Sequence, residues 1–170
     1  VAVFPTGQGV VAAFDALSGT PLWTATYPES VRQVHRLGQQ LKVPGSSWLP
    51  GRPVLADGLC ILTPRDSRHV VALSLATGAV AWRAEVPHGV ALLGERSGEL
   101  YVQDDGVRCI RAASGTMKWR TGLPERPVGL GVLSGDGALV PAGDGVWLVD
   151  WAGQARRLAE WPEPAPRHAN

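Results

Sequence analysis

The sequence has few of the features that would point directly to a function. Among its 170 residues there are only two cysteines, and the net charge is +1. So small a charge gives no overall attraction for nucleic acid or an anionic membrane surface, and no apolar run approaches the ~18 residues of a membrane-spanning helix. Cys60 and Cys109 are neither adjacent nor in a C-x-x-C pair, so we expect two buried thiols rather than a zinc or disulfide site.

Catalytic and metal-binding motifs are equally scarce. The sequence contains no G-x-S-x-G, no P-loop lysine motif and no G-x-G-x-x-G between a strand and a helix. The histidines have no metal-ligand spacing, and the aspartates match no calcium loop, because most of them precede a turn glycine. These residues are His35, His69, His88, His168, Asp104, Asp105, Asp136 and Asp144. The sequence therefore predicts no catalytic, cofactor-binding or metal-binding residue.

One phrase recurs and organises the chain. It consists of an apolar run, a polar turn with a glycine, and a tryptophan four residues after that glycine, and it occupies 9–23. The phrase recurs at 70–82 and 107–119, and a degenerate copy at 146–153 has no tryptophan. The later turn glycines recur about every 37 residues, a period typical of stacked supersecondary units.

The composition of these units indicates strands. Val, Ala, Leu, Ile and Trp fill the runs, Gly, Asp, Ser and Pro separate them, and no convincing long helical pattern intervenes. About four short strands fit one period, and residues 10–15 are apolar on both alternating faces, as in a strand between two neighbouring sheets. We therefore predict an all-β fold, a β-propeller of four-stranded antiparallel blades. About three and a half to four blades are present, and we expect them to be a fragment of a larger propeller.

The repeated phrase resembles the tryptophan-docking repeat of quinoprotein-type (pyrroloquinoline quinone-like) β-propellers. The first copy reads Ala13-x-Asp15-x-x-Ser18-Gly19-x-x-x-Trp23, the second has Ser74 in place of the aspartate, and the third departs from the pattern at Cys109 and Arg111. We expect the glycines to adopt positive φ and each tryptophan to bury ~150–250 Å² against the adjoining blade. The repeat residues are Asp15, Gly19, Trp23, Gly78, Trp82, Gly115, Trp119, Asp150 and Gly153.

The resemblance implies two alternative functions. The family includes dehydrogenases that use pyrroloquinoline quinone and calcium, and also scaffolds such as the outer-membrane lipoprotein BamB. No catalytic residue of the dehydrogenases can be carried over to a position in this chain. The resemblance therefore favours a non-catalytic scaffold that binds a protein or peptide in the bacterial cell envelope, with no cofactor. The alternative is a fragment of a quinone-dependent dehydrogenase whose catalytic residues lie elsewhere, and a sensory or envelope domain of a larger protein is a third possibility.

The repeat also predicts the boundaries of the units. Blade one lacks its innermost strand, so we expect the remaining blades in a longer parent chain, and a self-closed small propeller is the alternative. The predicted units are partial blade one at 1–27, an insertion at 28–52, blade two at 53–87, blade three at 88–124, blade four at 125–161 and a proline-rich tail at 162–170.

The insertion is the least repetitive part of the chain. A short helix opened by a capping box at Ser30 and a pair of strands both remain compatible with its sequence. Its basic residues and lone tryptophan predict a partner-binding loop, because long loops on rigid scaffolds often carry function. The alternative is a solvated insertion whose tryptophan caps a blade. The predicted contact residues are Arg32, His35, Arg36, Lys42, Trp48 and Arg52.

Overall fold

The computed structural model describes residues 1–6, 9–27, 52–64, 67, 69–86 and 91–162. These residues form four antiparallel sheets, and within each sheet every strand pairs with its neighbour in sequence. The elements of the described part of the chain are all strands. The predicted all-β class with four-stranded antiparallel blades is therefore confirmed.

The strands follow the repeated phrase. The first sheet has three strands, β1 (Ala2–Pro5), β2 (Val10–Phe14) and β3 (Pro21–Thr26). The second sheet has β4 (Val54–Ala56), β5 (Leu59–Leu62), β6 (His69–Ser74) and β7 (Val80–Glu85). The third has β8 (Ala91–Arg96), β9 (Glu99–Gln103), β10 (Gly106–Arg111) and β11 (Met117–Gly122). The fourth has β12 (Val132–Leu133), β13 (Gly137–Ala142), β14 (Gly145–Asp150) and β15 (Ala155–Glu160).

The sheets converge at their first strands. Strand β4 contacts β8, and β8 in turn contacts β12. The first strand of each complete sheet is therefore innermost and the last is outermost, which is how propeller blades are arranged. In the first sheet, β1 occupies the place that β5, β9 and β13 have in the other sheets, as the repeat predicts for the start of the chain.

The core lies between successive sheets rather than inside any one of them. In β6, Val70 belongs to a cluster shared with the third sheet, whereas Val71 belongs to a cluster shared with the first. Both side chains are fully buried. A third cluster, which includes Val107 and Val140, joins the third sheet to the fourth. Strands β5 and β6 are thus buried on both faces, which is why apolar residues occupy both of their alternating faces.

The first sheet departs from the expected burial on both faces. Val11 and Ala13 are fully buried against the second sheet, but the opposite face of β2 is only half-buried. On that face the rings of Phe4 and Phe14 meet edge to face, with their centroids 5.9 Å apart. Among the described residues no sheet packs against this face, so its apolar side chains keep partial contact with solvent.

The first strand of the fourth sheet, β12, has only two residues. The buried side chain of Gln103 reaches across from the third sheet and binds two peptide groups of this segment. It donates to the carbonyl of Gly129 at 2.8 Å and accepts from the amide of Gly131 at 2.7 Å. Because these peptide groups bond a side chain, pairing with β13 is interrupted between the isolated bridge of Pro127 with Ala142 and the start of β12 at Val132.

Candidate interaction surface

The first three repeated turns close with the same backbone hydrogen bonds, and the fourth is one residue shorter. We call the segments 15–20, 74–79, 111–116 and 150–154 the first, second, third and fourth turns. In the first turn the amide of Gly19 donates to the carbonyl of Asp15 at 2.9 Å. The Asp15 carboxylate then caps the turn, accepting from the amides of Leu17 at 3.0 Å and Ser18 at 2.8 Å. These hydrogen bonds, led by that of Ser18, lower the pKa of Asp15.

Each repeat tryptophan docks on the turn glycine of the next sheet. A Cβ added to Gly78 would lie 2.5 Å from the indole of Trp23, and one added to Gly115 would lie 2.5 Å from that of Trp82. The Trp23 N–H also donates to the carbonyl of Leu75 at 2.9 Å. The remaining contacts of this kind are Trp82 with the carbonyl of Ala112 at 2.8 Å and Trp119 over Gly153. Only glycine leaves room for an indole at these positions.

The first turn carries no such indole. Gly19 has φ +71°, the same as Gly115, but a Cβ added to Gly19 would meet nothing within 4 Å. The neighbouring Leu17 is 99% exposed. Within the part of the chain that the structure describes, the first turn is therefore an unoccupied copy of the docking geometry.

The predicted partner-binding loop is almost entirely outside the described residues. Only Arg52 is described, and it is exposed immediately before β4. The predicted contact residues outside the described ranges are Arg32, His35, Arg36, Lys42 and Trp48. The role of this loop stays a prediction.

A cleft of about 280 Å³ lies between the second and third sheets, at the end of the sheets where the repeated turns lie. Within it, the ammonium of Lys118 pairs with the carboxylate of Glu99, and this pairing is the main reason that the pKa of Glu99 is lowered. Arg111 also lines the cleft, and it has no ion-pair or hydrogen-bond partner for its side chain among the described residues. The full lining is Asp57, Ser97, Gly98, Glu99, Arg111, Ala113 and Lys118.

Sequence reasoning did not predict this cleft. Its rim includes two hairpin tips whose residues Asp57 and Ser97 adopt left-handed backbone conformations, with φ of 49° and 54°. A usable signal was present in the repeat, because Arg111 stands where the first and fourth copies have aspartate.

Two of the aspartates considered for calcium, Asp104 and Asp105, have other partners. The side chain of Asp104 is fully buried, and it pairs with Arg108 at 2.6 Å and with Arg120 at 3.5 Å. Its neighbour Asp105 also pairs with Arg120. Among the described residues no three His, Cys, Asp or Glu side chains are grouped so that they could hold a metal ion. These carboxylates therefore hold two arginines and the turn between β9 and β10.

Both cysteines lie buried in different sheets. Burial raises the pKa of Cys60 to about 11. Burial, followed by a hydrogen bond to Glu99 at 3.3 Å, raises the pKa of Cys109 to about 12. We expect neither thiol to react with iodoacetamide at pH 8 in the native protein, since the thiolate is the nucleophile. Mass spectrometry should find both alkylated only after denaturation, and rapid native labelling of either would contradict this burial.

Comparisons with known proteins agree on the fold. The family model described as "Outer membrane protein assembly factor BamB" matches residues 7–159. BamB from Moraxella catarrhalis aligns with a TM-score of 0.68 and 17% identity, over 94% of this chain and 49% of that one. A europium-containing methanol dehydrogenase aligns with a TM-score of 0.51 and 19% identity, over 68% of this chain and 26% of that one. The chain thus spans about half the length of the BamB structure, and the predicted β-propeller fold is confirmed.

No match was found among curated protein sequences. None of the described residues form a helix with the length and hydropathy needed to cross a membrane.

Proposed function

Because the chain belongs to the PQQ-like propeller family whose model is described as outer membrane protein assembly factor BamB, we propose that it is a non-catalytic scaffold that binds a protein or peptide in the bacterial cell envelope. The observation that carries this proposal is the family match across 7–159. The name of that family describes an assembly factor, a role that depends on contacts with other proteins.

The arrangement of the sheets supports a scaffold role. The four sheets are held together by three buried clusters and by three tryptophans that pack on turn glycines. The turns and loops are therefore presented from a rigid frame. Binding residues are often found on loops that such a frame positions. On this protein we propose two contact regions, the basic insertion at 28–52 and the cleft beside Arg111.

Cross-linking with a charge-matched control tests the proposal. The chain, carrying a photo-reactive group in the insertion, is mixed with a cell-envelope fraction, and captured proteins are identified by mass spectrometry. We expect one discrete partner with the native chain, and its loss in the double variant Arg32→Glu/Arg36→Glu. The control Arg83→Glu/Arg156→Glu makes the same charge change on exposed residues of β7 and β15. Equal capture by both variants, or no discrete partner, would contradict the proposal.

A second candidate is a fragment of a quinone-dependent dehydrogenase, which the structural likeness to methanol dehydrogenase favours. Such an enzyme needs a general base and ligands for calcium beside the quinone. The described residues do not fit a calcium-bound quinone, because no three of their His, Cys, Asp or Glu side chains lie close enough together to hold a metal ion. We therefore assign no cofactor to the described residues. Titration of the full-length protein with pyrroloquinoline quinone and calcium, followed by a dye-reduction assay, separates the candidates, and sustained turnover would refute the scaffold.

A further inference from the structure

The four repeated turns differ in the residue that opens them. Asp15 and Asp150 each cap their turn with a carboxylate oxygen, which in the fourth turn accepts from the amides of Ala152 at 3.0 Å and Gln154 at 2.8 Å. In the second turn the hydroxyl of Ser74 accepts one amide at 3.3 Å. The third turn opens with Arg111. A guanidinium has no acceptor, so the third turn has lost the cap that the other three possess.

The backbone of the third turn nevertheless keeps the conformation of the first. The amide of Gly115 donates to the carbonyl of Arg111 at 2.9 Å, as Gly19 does to Asp15 at 2.9 Å. Both glycines have φ +71°. The Ser114 amide differs from its counterpart, because it donates to the backbone carbonyl of Arg111 at 3.3 Å, whereas the Ser18 amide donates to the Asp15 carboxylate at 2.8 Å. The third turn therefore keeps the backbone course of the first but offers one fewer free amide.

One donor of this turn is left without an acceptor. The amide of Ala113 is the counterpart of the Leu17 amide, which donates to Asp15 at 3.0 Å. Among the described residues the Ala113 amide has no acceptor, and both Ala113 and Arg111 are exposed where they line the cleft. A backbone N–H beside an unpaired guanidinium is a favourable place for an anion.

We propose that the third turn binds the carboxylate of an acidic side chain on the protein or peptide partner. The carboxylate takes the place that the Asp15 carboxylate has in the first turn. It accepts from the Ala113 amide, and the Arg111 guanidinium neutralises its charge. This inference rests on the proposed function, because it specifies how that partner is anchored.

The other charges of the cleft define the partner further. Lys118 is already paired with Glu99, so it adds no free positive charge. Asp57 lies on the opposite rim, where its carboxylate repels a second acidic group and attracts a basic one. The preferred partner therefore presents one acidic residue with basic neighbours, rather than a run of acidic residues.

A pair of capped peptides tests this site on the intact chain. One peptide has the sequence Lys-Glu-Lys, and the other has Gln in place of Glu. In a titration followed by ¹⁵N–¹H NMR, we expect the glutamate peptide to shift the Ala113 amide resonance. The affinity for the glutamine peptide should be lower by about tenfold or more, because the charge-assisted hydrogen bonds are lost.

Arg111→Asp supplies a variant that retains the fold. It restores the cap seen at Asp15 and Asp150, so its thermal midpoint should equal or exceed that of the native chain while peptide binding disappears. Arg83→Asp makes the same charge change on an exposed residue of β7 and should bind normally. Arg111→Ser, which copies Ser74, repeats the test with a smaller change in charge.

Two results would contradict the proposed binding site. The first is equal binding of the two peptides, which would show an unspecific contact. The second is unchanged binding by Arg111→Asp and Arg111→Ser. If these variants still capture the envelope partner while neither peptide binds, the third turn is not the anchor. The scaffold function would then stand on the insertion alone.

Discussion

Trp82→Ala is expected to lower the free energy of unfolding by ~3–5 kcal/mol, the range for emptying a large core site. The indole packs on Gly115 and against the cluster between the second and third sheets. Its removal would leave a cavity there and would also leave the carbonyl of Ala112 without the N–H that now lies 2.8 Å away. Urea denaturation followed by circular dichroism measures the change directly.

A second tryptophan provides the comparison for this experiment. Trp161 also donates its indole N–H to a carbonyl, that of Ala142 at 2.6 Å, but it is 45% exposed. Trp161→Ala should therefore cost less than Trp82→Ala, because less apolar surface is removed from the interior. A loss below about 1 kcal/mol for Trp82→Ala would contradict the role of this residue in joining two sheets.

Gly115→Ala should cost ~2–5 kcal/mol, and Gly19→Ala only ~1–2 kcal/mol. Both glycines have φ +71°, so both variants suffer the same left-handed strain. At Gly115 the new Cβ would also lie 2.5 Å from the indole of Trp82, whereas at Gly19 it meets nothing within 4 Å. The difference between the two variants therefore measures the indole contact alone. Equal losses of unfolding free energy would show that the contact adds nothing.

The double variant Trp82→Ala/Gly115→Ala serves as the control for this pair. Once the indole is gone, the methyl group at Gly115 no longer meets it. The cost of the double variant should then be less than the sum of the single costs, as expected for residues in direct contact. Additive costs would indicate that each substitution acts independently.

The fold was predictable because its signals are local and repeated. The apolar run of β2 and the turn that begins at Asp15 recur along the chain, and the later turn glycines lie about 37 residues apart. Each copy therefore supports the interpretation of the others. The docking of Trp23 on Gly78 was predictable only as a contact with an adjoining blade, because the periodicity does not say which atoms of that blade meet the indole. The half-open face around Phe4 was missed because burial depends on a neighbouring sheet that the strand itself does not encode.

The cleft was not predictable from the same signals. It combines Asp57 of one sheet with Arg111 of the next, two residues that are far apart in the sequence and share no motif. Gln103 is a similar case, since a single buried amide shortens β12 by binding Gly129 and Gly131. Both features bring together residues of two sheets, so they follow from three-dimensional packing rather than from periodicity.

The most direct test of the account is an NMR measurement of contacts between indole and glycine protons. The central claim is that each sheet is joined to the next by a tryptophan lying on a turn glycine. We expect nuclear Overhauser effects between the indole and glycine Hα protons of three pairs. Those pairs are Trp23 with Gly78, Trp82 with Gly115, and Trp119 with Gly153. Indole contacts confined to each tryptophan's own sheet would contradict the claim.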